Sequence, residues 1–268
     1  LMSRKLQIKL PSSVPPAVAG SFANLIPMAI IFIGAWVLKI SLLHTSFGNI
    51  HVIINDIIGK PLTGMGGNIY GYAFAIFITF LLWVFGIHGS SIVMFGVLAP
   101  VLMMMSDANR QAALNGQPLP NILTYEYFSF IGGVGLYICI ACLIVGKSKQ
   151  IREIAKIGLL PAIFGIHEPL IFGLPIMLNP LMLIPFALIP TINIIITYFC
   201  MTAGLVPLTN GVQIPWTTPP VISGFLVSGW QGSVLQLILI ILGVVLYIPF
   251  IKMLDKQYLK EEAVNAAN

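Results

Sequence analysis

Glu168 is the residue with the clearest potential for chemistry, because it stands alone in a long apolar stretch. It is the only Asp, Glu, Lys or Arg among residues 157–251. A carboxylate at membrane depth costs about 3 kcal/mol on insertion scales, so such a residue is expected to line a polar cavity. It also lies in GIHEPLIFGLP, where prolines interrupt the helix and free backbone groups for a ligand. A protonated glutamate that satisfies a stray backbone group is the alternative.

His88 is the second candidate for a catalytic role. It is the only Asp, Glu, Lys, Arg or His among residues 61–106. A histidine can donate to a sugar oxygen or steady a phosphoryl group near neutral pH. Small residues flank it and allow a ligand to come close, the serines adding hydroxyls: Gly86, Gly89, Ser90 and Ser91. A hydrogen-bonded packing histidine is the alternative.

The tetrapeptide that ends at His88 occurs twice. Phe-Gly-Ile-His stands at residues 85–88 and again at residues 164–167, where it ends at His167. Matched interrupted segments in two halves of a chain are typical of transporters. Four residues can also recur by chance, so the sequence leaves both interpretations open.

Trp216 is a third candidate, in the irregular stretch QIPWTTPP. An aromatic face suits the C–H face of a pyranose ring, but tryptophan is also a common anchor at the membrane interface. Residue type does not decide between the two. Three neighbours add hydrogen-bonding groups: Gln213, Thr217 and Thr218.

The elements that must position these residues are membrane-spanning helices. Of the 268 residues, 58% are apolar and only 8% are charged, whereas a soluble domain carries about 25% charged residues. The predicted fold class is an all-α integral membrane protein, with transmembrane helices, re-entrant hairpins broken by Pro and Gly, and an amphipathic interfacial helix. The net charge of +5 does not indicate a nucleic-acid partner, because the few basic residues lie between apolar runs.

Apolar runs of sufficient length predict the spans 22–43, 69–87, 90–105, 127–146, 178–203 and 232–251. Residues 157–177 are expected to dip into the membrane and return. The stretches between these runs are predicted to be an amphipathic surface helix at 44–66, a polar loop at 106–126 and an irregular segment at 204–224.

Charge predicts the orientation and the domain limits. Basic clusters at 147–156 and after residue 251 place these segments, and the C-terminus, in the cytoplasm. We therefore expect an interfacial or cytoplasmic N-terminal segment at 1–20, a transmembrane transport domain at 21–251 and a cytoplasmic tail at 252–268. Because the chain starts at Leu1, we expect it to be a piece of a longer protein.

No metal or cofactor is predicted. Cys139 and Cys142 form a C-x-x-C pair, but the pair lies inside an apolar run and has no further metal ligands, so packing is the expected role. His167-Glu168-Pro169 lacks the second histidine of a zinc protease, and no phosphate-binding glycine loop is present.

In their order and spacing, three motifs resemble a known family. GIHGSS, GIHEPLIFGLPIMLNP and QIPWTTPP are similar to enzyme IIC of the bacterial phosphotransferase system, in its lactose/cellobiose/chitobiose branch, and KLPSSVPPAVAGSFANLIP also matches its style. The resemblance covers nearly the whole chain. It departs from the family at His167, where the usual pattern is Asn-Glu-Pro, and in length, since family members are much longer and carry further N-terminal helices.

The resemblance implies a multi-pass sugar permease of the bacterial plasma membrane. Such a protein binds a β-linked disaccharide such as cellobiose, chitobiose or lactose. It acts as the membrane part of a sugar phosphotransferase, with cytoplasmic enzyme IIB, a phosphocysteine carrier, as the phosphoryl donor. The full-length protein is expected to be a homodimer.

The resemblance also implies roles for individual residues. Glu168 would hydrogen-bond the hydroxyl that is phosphorylated, His88 would lie near the same hydroxyl, and Trp216 would contact the sugar. His167 would stand where the family has an amide. Ser90 and Thr217 complete the expected substrate-binding set.

Three other functions stay open at this point. A proton-coupled sugar or amino-acid symporter would use Glu168 as its proton carrier and would need no phosphoryl donor. A membrane-embedded enzyme acting on lipid would need a nucleophile or metal set that the sequence does not offer. A remnant of a truncated gene would have no activity.

Overall fold

A computed structural model of the chain describes residues 16–45, 48, 68–174 and 176–267. The predicted segment 1–20 and the predicted surface helix 44–66 lie almost wholly outside these residues. The chain divides into two compact units, residues 1–58 and 59–268. The first unit contributes one helix to the description, and the candidate residues all belong to the second.

The predicted all-helical membrane class is confirmed: the described residues form helices and contain no strand. Along the chain these are α1 (Pro16–Leu43), α2 (Ile69–Val84), a π-helical segment (Ser90–Leu98) that continues as α3 (Ala99–Leu114), a 3₁₀ segment (Glu126–Ile131), α4 (Val134–Val145), α5 (Lys149–Ile163), α6 (Glu168–Gly173), α7 (Pro180–Thr202) and α8 (Ile222–Ala267). Five described stretches are long and apolar enough to cross a membrane: Leu25–Leu43, Ser90–Leu114, Glu126–Val145, Pro180–Thr202 and Ile222–Val264.

Large apolar side chains are exposed on the spanning helices. On α8, Leu237, Ile238 and Ile241 are about half exposed, whereas Leu235 and Leu239 are buried. A helix that is apolar on both its packed and its outer face is typical of a membrane span. These exposed surfaces are therefore expected to meet lipid.

Aromatic residues fill the interior of the second unit. Tyr72 on α2 packs edge-to-face on Tyr127 of the 3₁₀ segment, with ring centroids 5.4 Å apart. Phe80 on α2 makes the same kind of contact with Phe186 on α7, also at 5.4 Å. These pairs hold α2, α7 and the 3₁₀ segment together around the site described below.

The predicted loop at 106–126 is wrong in its first part, because α3 continues to Leu114. The polar residues that suggested a loop cover two sides of this helix. Asp107 and Arg110 pair on the surface at 2.6 Å. Asn109 points inward, where its amide donates to the carbonyls of Asn121 and Thr209 at 2.7 and 2.8 Å.

The predicted span 127–146 is not one continuous helix. Its first half is the 3₁₀ segment, its second half is α4, and the two meet at Gly132–Gly133.

The final helix is longer than the predicted span 232–251. It kinks at Ser228–Gly229 and continues to Ala267. Its polar end is anchored because Asp255 accepts hydrogen bonds from the backbone N–H groups of Lys147 and Ser148 at 3.0 and 2.8 Å.

Candidate functional site

The two Phe-Gly-Ile-His sequences adopt the same turn. After α2, Gly86 N–H donates to Trp83 O and Ile87 N–H donates to Leu82 O, both at 3.0 Å. After α5, Gly165 and Ile166 donate to Ala162 and Pro161 in the same pattern, at 3.2 and 3.1 Å. Both glycines have φ of +78°. Each tetrapeptide is thus a Schellman cap, the helix C-terminus that favours glycine because it needs a left-handed residue.

Each cap is followed by a histidine that lies just before the next helical element. His88 comes two residues before the π-helical segment, and His167 is the N-cap of α6. A Cβ at Gly89 would overlap the Thr79 carbonyl oxygen, so only glycine allows the His88 segment to lie this close to α2. The repeat that the sequence left undecided is therefore structural, and it delivers two histidines in the same way.

The ring of His88 is held on two sides. Ser91 N–H donates to its Nδ1 at 3.2 Å, and Ser91 Oγ lies 2.9 Å from the same atom. The indole of Trp83 packs against the ring with centroids 4.2 Å apart, and Trp83 Nε1 donates to Ser90 Oγ at 3.4 Å. Because Nδ1 accepts from a backbone amide, the neutral imidazole carries its proton on Nε2. His88 can therefore offer an N–H donor to a ligand.

Glu168 begins α6, directly after the second cap. Its side chain is half-buried. The preceding His167 has a buried Nδ1 without a hydrogen-bond partner among the described residues. Gly135 on α4 faces this atom, since a Cβ there would lie 2.7 Å from His167 Nδ1. The carboxylate and a free imidazole nitrogen are thus adjacent in the chain.

Trp216 comes from the irregular segment between α7 and α8. The turn that carries it is closed by Thr218, whose N–H and hydroxyl donate to Pro215 O at 2.9 and 2.7 Å. The second cap packs against this turn, because a Cβ at Gly165 would lie 3.4 Å from Trp216 O. The indole itself is 66% exposed, so its face is available for contact.

These elements enclose one partly open cavity of about 370 Å³. Small-molecule sites typically have 300–1,000 Å³. Five of the six predicted site residues line it: Glu168, His88, His167, Trp216 and Ser90. Thr217 is not part of the lining, whereas its neighbour Thr218 is.

Sequence reasoning did not single out Glu126 or Gln236, two polar residues in or behind the cavity wall. Glu126 lines it and is 3% exposed. Gln236 on α8 supports its wall: Gln236 Oε1 accepts from Val221 N–H at 2.6 Å and Gly224 N–H at 2.8 Å, and Nε2 donates to Ser129 O at 3.1 Å. The only sequence signal for Glu126 was a carboxylate directly before an apolar run. An uncharged glutamine in an apolar run gave no signal.

Polar side chains beyond the predicted site residues have structural roles. Among the described residues, no group of three His, Cys, Asp or Glu is placed to hold a metal. Cys139 and Cys142 are buried free thiols, which agrees with packing. Asn193 donates to Ile131 O at 2.9 Å, and Asn210 donates to Leu226 O at 2.9 Å.

Comparison with known proteins decides the family. Residues 1–190 match the family described as Phosphotransferase system, EIIC. The chain belongs to this family. The lichenan permease IIC component of Bacillus subtilis (strain 168) is 42% identical to this EIIC chain over 270 residues, which cover 98% of the chain and 59% of that protein. The PTS system cellobiose-specific EIIC component of Geobacillus stearothermophilus is 39% identical over 272 residues, covering 98% of the chain and 60% of that protein.

A solved structure has the same fold. The crystal structure of ChbC, the IIC component from the N,N'-diacetylchitobiose-specific phosphotransferase system, matches the EIIC chain with a TM-score of 0.72 and 38% identity, over 98% of this chain and 62% of that one. The predicted family is confirmed, and the EIIC chain is a membrane protein. It spans between 46% and 62% of the length of the curated relatives that it matches.

Proposed function

We propose that this EIIC chain binds a β-linked disaccharide in the cavity and moves it across the bacterial plasma membrane, coupled to its phosphorylation by enzyme IIB. One observation carries the proposal: Glu168, His88 and Trp216, from three separate segments, line a single cavity of about 370 Å³. The relatives named for lichenan, cellobiose and diacetylchitobiose support a sugar of this class.

The chemistry of the site fits phosphoryl transfer to a sugar hydroxyl. The hydroxyl oxygen forms a bond to the phosphorus of the phosphocysteine on enzyme IIB, and the P–S bond breaks with the cysteine thiolate leaving. Glu168 orients the hydroxyl and accepts its proton, as a general base. His88, with an N–H on Nε2, donates to the hydroxyl or to the transferring group, because this chemistry depends mainly on positioning and charge.

Other lining residues would hold the sugar. The exposed indole face of Trp216 offers a platform for a pyranose ring. Ser90 adds a hydroxyl, and His167 takes the place of the usual amide. Thr218 is a better candidate than Thr217, because it lines the cavity.

The partner and the arrangement in the membrane are part of the proposal. A relative named PTS system lactose-specific EIICB component, from Staphylococcus aureus, supports a B-type partner. We propose that residues 21–251 form the transport domain, that residues 1–20 and 252–268 lie on the cytoplasmic side, and that the full-length protein is a homodimer.

The Glu168→Gln variant of the full-length protein tests this function. The neutral amide of the variant cannot accept the proton, so we expect phosphorylation of radiolabelled cellobiose in vesicles with purified enzyme IIB to fall at least 100-fold, the lower end of a general base's contribution. Glu153→Gln is the matched control, because Glu153 is exposed and pairs with Lys156 on the surface of α5. Wild-type phosphorylation by Glu168→Gln would refute the proposed role.

The same assay separates group translocation from proton symport. We expect the sugar to appear inside as its phosphate, and only when enzyme IIB is present. Uptake of unmodified sugar without enzyme IIB, driven by a proton gradient, would contradict the proposal and favour the symporter.

A further inference from the structure

Glu126 is a buried carboxylate that the proposed mechanism does not use. Its side chain is 3% exposed and lines the cavity. Ser106 Oγ donates to Glu126 Oε2 at 2.6 Å. The other oxygen, Oε1, is buried and has no hydrogen-bond partner among the described residues.

The position of Glu126 is fixed from two sides. Ser106 on α3 also accepts a hydrogen bond from Tyr125 N–H at 3.0 Å, so one serine holds both the backbone and the carboxylate at the start of the 3₁₀ segment. Tyr127, the next residue, is anchored by its hydroxyl to Ile194 O at 2.6 Å. A carboxylate held this firmly is preorganised for a partner.

No lysine or arginine of the described part of the chain lines the cavity beside this carboxylate. The lining includes Glu126, Glu168, His88 and His167. An unpaired buried carboxylate is costly, and hydrogen bonds to it are about twice as strong as neutral ones. A ligand that supplies hydroxyl donors would satisfy this oxygen, and a sugar is a ligand that offers several hydroxyls.

We propose that Glu126 is a specificity-determining residue, whose free Oε1 accepts a hydrogen bond from one hydroxyl of the bound disaccharide other than the one that is phosphorylated. The inference rests on the proposed sugar-binding function. Glu168, on a different element, receives the reacting hydroxyl, and Glu126 selects the sugar by the position of a second one.

Mono-deoxy analogues of cellobiose test the proposal by isothermal titration of the purified full-length protein in detergent. Wild-type protein is expected to lose roughly tenfold or more in affinity for the one analogue that lacks the hydroxyl on Glu126, because a hydrogen bond to a charged group contributes at least that much. The Glu126→Gln variant is expected to bind cellobiose itself roughly tenfold more weakly than wild type does. It is expected to bind the analogue without that hydroxyl almost as well as it binds cellobiose. The loss of discrimination at a single hydroxyl is a readout that a purely structural role would not produce.

Two variants complete the test. Glu153→Gln makes the same change of charge on an exposed helix and is expected to keep the wild-type pattern. If Glu126→Gln does not fold, Glu126→Asp is used in its place. The aspartate keeps the negative charge, but its side chain is one methylene shorter, so the carboxylate lies farther from the sugar hydroxyl. Every analogue losing the same factor in wild type and variant would overturn the role of Glu126 while leaving sugar binding intact. Wild-type protein that binds no disaccharide would instead refute the proposed function.

Discussion

His167 is the residue at which the resemblance predicts a departure from the Asn-Glu-Pro pattern of the family. Its Nδ1 is buried without a partner among the described residues. An amide can donate and accept at the same time, whereas a neutral imidazole presents one donor and one acceptor on opposite sides of a ring. In the proposed sugar site, histidine at this position would therefore match different sugar groups beside Glu168 than asparagine would.

His167→Asn is expected to change substrate preference without preventing folding. A single neutral hydrogen bond contributes about 0.5–1.5 kcal/mol, so the ratio of affinities for two disaccharides should shift by up to about tenfold. The measurement is a set of dissociation constants for cellobiose, chitobiose and lactose in both proteins. Identical ratios in the two proteins would show that this position does not select the sugar.

Single functional candidates could be predicted from the sequence when an ionisable residue stood alone in a long apolar stretch. Glu168 and His88 stood out because no other charged side chain lies near them in the chain, and the structure brings both to one cavity. Glu126 was hidden at the edge of a polar stretch that was interpreted as a loop. Gln236 was hidden because a neutral amide in an apolar run does not stand out as a buried charge does, although its hydrogen bonds join the start of α8 to the 3₁₀ segment.

At the scale of elements, the two Schellman caps decide where the histidines lie. Each cap stops a helix, turns the chain through a left-handed glycine and releases it into a new helical element. The site thus depends on backbone conformation as much as on side chains.

Gly165→Ala tests this dependence. A left-handed conformation costs a non-glycine residue about 1–2 kcal/mol, while the new methyl group would meet Trp216 O at an acceptable 3.4 Å. We expect a lower melting temperature in detergent and weaker cellobiose binding, because His167 follows two residues later. Gly34→Ala is the control, since its Cβ has nothing within 4 Å and helix interiors favour alanine. Equal melting temperatures and affinities for wild type and Gly165→Ala would contradict the argument.

Element boundaries were predictable where apolar runs had sharp ends. The predicted span 178–203 agrees with α7 at Pro180–Thr202. Prediction failed where tertiary contacts override composition. Residues 106–114 are polar but helical because Asn109 is satisfied by Asn121 and Thr209, and these contacts could not be inferred from the local sequence.

For the whole molecule, the pattern of basic residues predicts one orientation. Lys147, Lys149, Arg152 and Lys156 cluster around the start of α5, and three more lysines lie near the end of α8: Lys252, Lys256 and Lys260. Asp255 joins the two regions by its hydrogen bonds to residues 147 and 148. Both clusters therefore belong to the same side, which the positive-inside rule assigns to the cytoplasm.

Cysteine labelling in intact cells tests the orientation. Asn115→Cys and Lys149→Cys place thiols at exposed positions that the prediction assigns to opposite sides of the membrane. Both are made in a full-length background in which the partly exposed Cys200 is replaced by alanine. We expect a membrane-impermeant maleimide to label only Asn115→Cys in intact cells and both variants after permeabilisation. If only Lys149→Cys were labelled in intact cells, the predicted orientation would be wrong and the opposite one would hold.

The described lining of the cavity holds two carboxylates and neither lysine nor arginine, and in the proposed mechanism this composition affects the sugar before and after phosphoryl transfer differently. A neutral sugar can bind in such surroundings, but a sugar phosphate would bring roughly two negative charges next to Glu126 in a poorly screened space, and next to Glu168 as well once Glu168 has released the proton that it accepted. Repulsion would eject the product and oppose its rebinding. The walls that hold the neutral incoming sugar would thus also weaken binding of its charged product.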